Sequence, residues 1–138
     1  MRYFLKNILK KSFIIISFTG FILIIIAYIL SNLLSDIFVG YDQNLKELTQ
    51  NGFKIFSLSY LIEGINIFSA AFFTALNNGI ISATISFLRT FLFQVITVLI
   101  LPLFWEIDGI WAAVFVAEFL ELIISIIFLV TQKEKYNY

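Results

Sequence analysis

The chain has 138 residues, 61% hydrophobic and only 13% charged, with nine basic and nine acidic side chains. A soluble domain is usually about 45–50% apolar and about 25% charged, so this composition belongs to an integral membrane protein, and its zero net charge offers no basic field to a nucleic acid. The absence of Cys and His excludes disulfides, thiol nucleophiles, imidazole acid–base chemistry and Cys/His metal centres.

Arg2, Lys6, Lys10 and Lys11 lead into the first apolar run, residues 12–34, SFIIISFTGFILIIIAYILSNLL. A signal-peptide core is roughly 7–15 residues and ends at a small-x-small site, whereas this run is longer and has no such site after it. At 1.5 Å per residue it can cross a hydrocarbon core of about 30 Å, so it reads as a permanent span. Residues 35–53, SDIFVGYDQNLKELTQNGF, are the longest polar stretch and read as a loop, with a short interfacial helix over 44–50 as the alternative. The second span is expected over 54–76 and a tight polar turn, NNGIIS, over 77–82. The third span, 83–104, contains Pro102 near its end, where the missing N–H and the crowded carbonyl predict a kink or a stop. A WEIDG turn over 105–109, a fourth span over 110–131 and a polar tail complete the chain.

The fold class is therefore all-α: an integral membrane bundle of four transmembrane helices in one domain, 1–138. Lys and Arg sort by side. Arg2, Lys6, Lys10, Lys11, Lys133 and Lys135 lie on one, and Lys46 and Lys54 on the other. The positive-inside rule then places both termini in the cytoplasm of a cell whose plasma membrane holds the chain.

Polar residues fall on stripes at three- and four-residue spacing. Ser59, Glu63, Asn66, Thr74 and Asn77 share one on the second span, and Ser82, Ser86, Arg89, Thr90, Gln94 and Thr97 one on the third. On the fourth span, Glu118, Glu121 and Ser125 share a face, and Gly109, Ala113 and Ala117 repeat every four residues, which permits close helix approach. Ser and Thr in such helices commonly bond their own backbone. The ionisable residues are different, because a charge at a helix centre costs about 2.5–3.5 kcal/mol on insertion scales. Glu63, Arg89, Gln94, Glu118 and Glu121 thus mark either a polar path or a buried structural ion-pair network. Helical rise puts Arg89 roughly 10 Å and Glu121 roughly 15 Å from the same surface, which predicts an Arg89–Glu121 pair. Glu63 falls roughly 14 Å into the second span, where a carboxyl can exchange a proton or a cation, with the Asn66 amide one turn on. Phe68, Phe72, Phe73, Phe87, Phe91 and Phe93 either line an apolar cavity for flat cations or simply pack. No Gly-rich phosphate loop, nucleophile elbow or paired-acid hydrolase arrangement occurs, and the chain reads as a non-enzyme without cofactors.

The run GINIFSAAFFTALNNGIISATISFLRT, then VLILPLF, then IDGIWAAVFVAEFLELIISIIFL resembles the C-terminal end of the multidrug and toxic compound extrusion (MATE) family. The residues that carry the resemblance are Gly64, Asn66, Ala75, Leu76, Arg89, Pro102, Gly109, Trp111, Ala112 and Glu118, in that order and spacing. The four spans resemble helices nine to twelve of that twelve-helix architecture, part of its C-terminal lobe. The resemblance implies efflux of organic cations or drugs by antiport against H⁺ or Na⁺ as the coupling ion. It also implies a partial transporter, inactive alone, whose partners are the missing helices or a second copy. Glu63 then falls on a cation-site acid of one branch of the family and Asn66 on its amide, with Na⁺ possible at Glu63. A non-transporting small membrane protein or accessory subunit, and a dimeric four-helix exporter, stand as the alternatives.

Overall fold

The computed structural model describes residues 2–136, with side chains from residue 4 onward. The side chain of Arg2, counted above for orientation, and the ends of the termini, Met1, Asn137 and Tyr138, lie outside the described residues. The elements in order are α1 (Arg2–Val39), α2 (Gln43–Ser57), α3 (Ser59–Ala75), α4 (Gly79–Phe87), a π-helical stretch (Leu88–Phe93), α5 (Gln94–Ile100), α6 (Pro102–Thr131) and α7 (Lys133–Tyr136). They combine into four helical rods long and apolar enough to cross a bilayer: Phe4–Val39, Gln43–Ala75, Gly79–Ile100 and Pro102–Thr131. The four expected spans are present, and their ends differ from expectation in ways that matter for the site.

The polar stretch 35–53 is helical almost throughout, not a loop. α1 runs on to Val39 and α2 starts at Gln43, leaving a three-residue corner. Local chemistry explains this. The Asp42 carboxylate caps α2, accepting from the backbone N–H groups of Asn44 and Leu45 at 2.9 and 3.1 Å. Asp36 pairs with Lys46 across the corner, and the Lys54 ammonium sits 5.2 Å from the centre of the Tyr28 ring. α2 and α3 form one rod that breaks at Leu58. There the hydroxyls of Ser57 and Ser59 donate back to the carbonyls of Lys54 and Phe56, a local competition that bends helices.

Gly20, Ser31 and Ser35 are buried on α1, and among its half-buried positions Phe13, Ser17, Ile24 and Ala27 continue the same line. Their steps of three and four trace a seam of the left-handed kind, and among the described elements α1 meets α2 and α3. Small residues set the distance: a Cβ on Gly20 would lie 3.0 Å from the Leu61 Cα, and one on Gly64 2.8 Å from Ile16. The remaining faces of α1 are Ile- and Phe-rich and exposed, as suits a helix long and apolar enough to cross a bilayer.

On the other side of α3 lie α4 and α6. Asn77 ends α3 with a left-handed φ of 58°, which Asn tolerates better than most side chains, and the Asn78 side chain caps α4 by accepting from Ile81 N–H. The turn is therefore Leu76–Asn78, and α4 begins four residues before the expected 83. Phe73 and Ile85, both fully buried, form a small core with Ile81, against which Ala70, Leu76, Phe128 and Leu129 pack. α7 adds a tie at the same end, where the Asn78 amide donates to the Tyr136 hydroxyl at 2.9 Å.

α6 starts at Pro102, and the chain reverses at Trp105–Glu106, where Glu106 has a φ of 49°. The proline-proximal stop and the WEIDG turn are thus both present, shifted by a few residues. Gly52 of α2 packs against the Trp111 ring of α6 so closely that a Cβ would lie 2.2 Å from it. Gly52→Ala is expected to lower the unfolding free energy in detergent by about 1–3 kcal/mol, the range for overpacking. The same change in a Trp111→Ala background should cost little, and an undiminished cost would show that the ring is not the obstacle.

Candidate functional site

The polar residues of three rods meet at one level. Counted by helical rise from the Leu76–Asn78 end, Arg89 lies about 15 Å in along the third rod, Glu63 about 18 Å along α3, and Glu121 and Glu118 about 15 and 20 Å along α6. The earlier start of α4 carries Arg89 deeper than expected, to the height of Glu121 and about 3–5 Å short of Glu63 and Glu118.

Arg89 nevertheless faces those last two acids. Its Nη1 lies 3.9 Å from Glu63 Oε1 and 3.8 Å from Glu118 Oε1. These are charge contacts, longer than hydrogen bonds. The expected Arg89–Glu121 pair is not formed: among the described residues no carboxylate oxygen of Glu121 comes within ion-pair distance of Arg89. Depth does not explain this, since the two stand at about the same height; the cause is rotation, the angle of about 60° that three residues of helix put between Glu118 and Glu121. Arg89 also lies in the π-helical stretch, whose wider turn re-aims side chains and recurs at functional positions.

Asn66 supplies the second link. Fully buried on α3, it donates through Nδ2 to both the backbone carbonyl of Glu118 at 2.9 Å and its carboxylate Oε2 at 2.8 Å. One amide thus anchors α6 to α3 and fixes the rotamer of the acid that meets Arg89. Glu121 is fully buried too; Ser125 Oγ approaches its Oε1 at 3.5 Å, and its Oε2 has no hydrogen-bond partner.

Glu63 is the most open of the four charged groups, with 36% of its side chain exposed, and so lies at the edge of the bundle and not in its interior. Gln94, expected on the same polar path, is exposed at the start of α5, and its side chain joins none of these groups. Among the remaining stripe residues, Ser59 donates to the carbonyl of Phe56, Thr74 to that of Ala70 and Thr97 to that of Phe93, while the Thr74 and Ser82 hydroxyls also bond each other at 2.7 Å. Phe68, Phe72 and Phe73 form a chain of ring contacts that Phe73 extends to Phe128, while Phe87 and Phe91 stack on the outside. Packing accounts for them. The Asn66–Glu118 link has no signal in the sequence, because it depends on the relative rotation of α3 and α6.

No family model, curated protein or solved structure matches the chain. The motifs quoted for the MATE-like reading therefore stand on their own order and spacing.

Chemically, the cluster holds three acids and one base. A fixed guanidinium bridges two carboxyls carried on different rods. Such a group can bind one proton or cation more or less without losing all of its internal pairing, and each change redistributes the attraction among α3, α6 and the π-helical stretch.

Proposed function

We propose that the chain is part of a proton-coupled exporter of organic cations, of the kind its motifs resemble, embedded in the plasma membrane with both termini cytoplasmic. Its coupling site is the Glu63–Arg89–Glu118 cluster, with Asn66 as the positioning amide. The observation that carries this reading is the placement of Arg89 Nη1 within 4 Å of acids on two other rods. Counting Glu121 beside Glu118 on α6, the cluster has three carboxyls and one permanent cation, so it is neutral only when it takes up further positive charge. A proton adds to a carboxyl without rearrangement. Na⁺ would have to enter where Arg89 already stands, so the proton is the favoured coupling ion. Glu63, at the open edge, is the carboxyl that exchanges it. The rest of the transport path comes from further helices or from a second copy.

The test compares cells that carry the chain together with the helices that complete its path with the same cells in which the chain carries Glu63→Gln. Ethidium efflux should fall at least about tenfold in the variant, the scale of a lost general acid–base group, and should stop in both when an uncoupler collapses the proton gradient. Efflux that is unchanged by Glu63→Gln, or that follows Na⁺ instead, removes Glu63 and the proton from the coupling step. A second reading rests on the bond from Asn66 to the backbone carbonyl of Glu118, which would serve equally to lock a non-transporting helix bundle. In that case the same variant changes stability alone.

A further inference from the structure

A cavity of about 110 Å³ lies between α3 and the third rod, lined by Asn66, Ile67 and Ala70 on one side and Ile85, Ser86 and Arg89 on the other. Two polar atoms on residues that line it are left over among the described residues. Asn66 is fully buried, and while its Nδ2 donates twice, its Oδ1 accepts nothing. Arg89 Nη1 is buried and has no hydrogen-bond partner, since the flanking carboxylates stand at 3.9 and 3.8 Å. An acceptor and a donor that are both buried and both unmet are costly, and native interiors rarely leave them so.

We propose that this cavity is a water-filled chamber, with its mouth at the exposed Ser86, that brings solvent to the Asn66–Glu118 pair and to Arg89. Water is the one occupant that suits every group present. It donates to Asn66 Oδ1 and accepts from Arg89 Nη1. An anion there would meet Glu63 and Glu118, a cation would meet Arg89, and an acyl chain would leave both leftover atoms unpaired. The volume holds several molecules at about 30 Å³ each. The chamber goes beyond the coupling reading, because it is hydrated whether or not the chain transports anything. If the chain does transport, the same water is the route by which protons reach the cluster.

The chain has no cysteine, so single-cysteine variants need no background substitutions. Ser86→Cys and its neighbour Phe87→Cys, in the full chain in native membranes, are exposed to a small charged methanethiosulfonate. Position 87 is an exposed apolar site at the same depth and serves as the lipid-facing control. Only a hydrated thiol ionises and reacts, so Ser86→Cys should be modified at least about tenfold faster than Phe87→Cys. Adding Ala70→Leu, or Ala70→Val if the larger side chain prevents folding, should fill the chamber and slow modification at position 86 by a similar factor. Equal, slow rates at 86 and 87 would overturn the chamber and give the cavity to an acyl chain. Fast modification that filling at position 70 leaves unchanged would also overturn it, because water would then reach Ser86 by another way. Neither rate depends on efflux, so this result and the Glu63→Gln result fail separately.

Discussion

Arg89→Ala is expected to destabilise the chain more than any other single change in the cluster. Removing one partner of a buried ion pair strands the other, at about 3–5 kcal/mol. The lower end applies here, because 24% of the Arg89 side chain remains exposed and its charge contacts are long. The stranded group is Glu118, which is 6% exposed and is held in place by Asn66, so it cannot swing out to water. Arg89→Ala combined with Glu118→Gln should therefore recover at least about half of the loss, as coupled neighbours do in a double-mutant cycle. Glutamine keeps an oxygen for the Asn66 amide while removing the charge. Arg89→Ala combined with Glu121→Gln should recover much less, since Arg89 faces the other two acids. Unfolding in detergent, followed by tryptophan fluorescence, reads all of these. Losses that add strictly for the Arg89 and Glu118 changes would show that the two groups do not interact. Full recovery with Glu121→Gln would restore the pairing that depth alone suggests.

That comparison also shows which parts of the structure could be read in the sequence and which could not. The number of rods and their rough positions follow from apolar runs, and all four are present, because nothing but a helix can satisfy the backbone across a span of that length. The ends were harder to read. Residues 43–53 are polar, and polarity reads as loop, yet Asp42 caps them into a helix and Gly52 presses them against Trp111. The start of α4 depended on reading Asn77 and Asn78 separately, one as a left-handed terminator and the other as a cap. That start moves Arg89 about 6 Å along the axis and level with Glu121, so depth alone favours an acid that rotation about the α6 axis takes out of reach. The π-helical stretch around Arg89 has no signature in its residues, LRTFLF, that separates it from an ordinary apolar turn. Membership of the cluster was legible for Glu63, Asn66, Arg89, Glu118 and Glu121, because ionisable and amide side chains stand out in hydrocarbon. Their pairing was not, since it depends on the relative heights and rotations of three rods.

Gly109→Ala is expected to fail where the same change at Gly79 does no harm. A Cβ on Gly109 would stand 2.5 Å from the carbonyl oxygen of Leu101, 2.6 Å from its carbon and 2.8 Å from the nitrogen of Pro102. All three are backbone atoms, so no side chain can yield. The Leu101 carbonyl is also occupied, accepting from the N–H groups of Phe104 and Trp105 at 3.0 Å each, and these bonds hold the reversal between α5 and α6. Moving the carbonyl to admit one methyl group breaks or lengthens both. Overpacking of this kind costs about 1–3 kcal/mol, and the lost bonds place Gly109→Ala at the upper end or beyond. A Cβ on Gly79, in contrast, meets nothing within 4 Å. Gly79→Ala should leave stability unchanged or raise it by about 0.4–1 kcal/mol through the entropy of the unfolded chain. The consequence reaches the cluster, because α6 carries Glu118 and Glu121 and is aimed by this reversal. Gly109→Ala should therefore lower both the thermal midpoint in detergent and ethidium efflux, while Gly79→Ala lowers neither. Equal tolerance at the two positions would mean that α5 and α6 do not approach one another as closely as their backbones indicate.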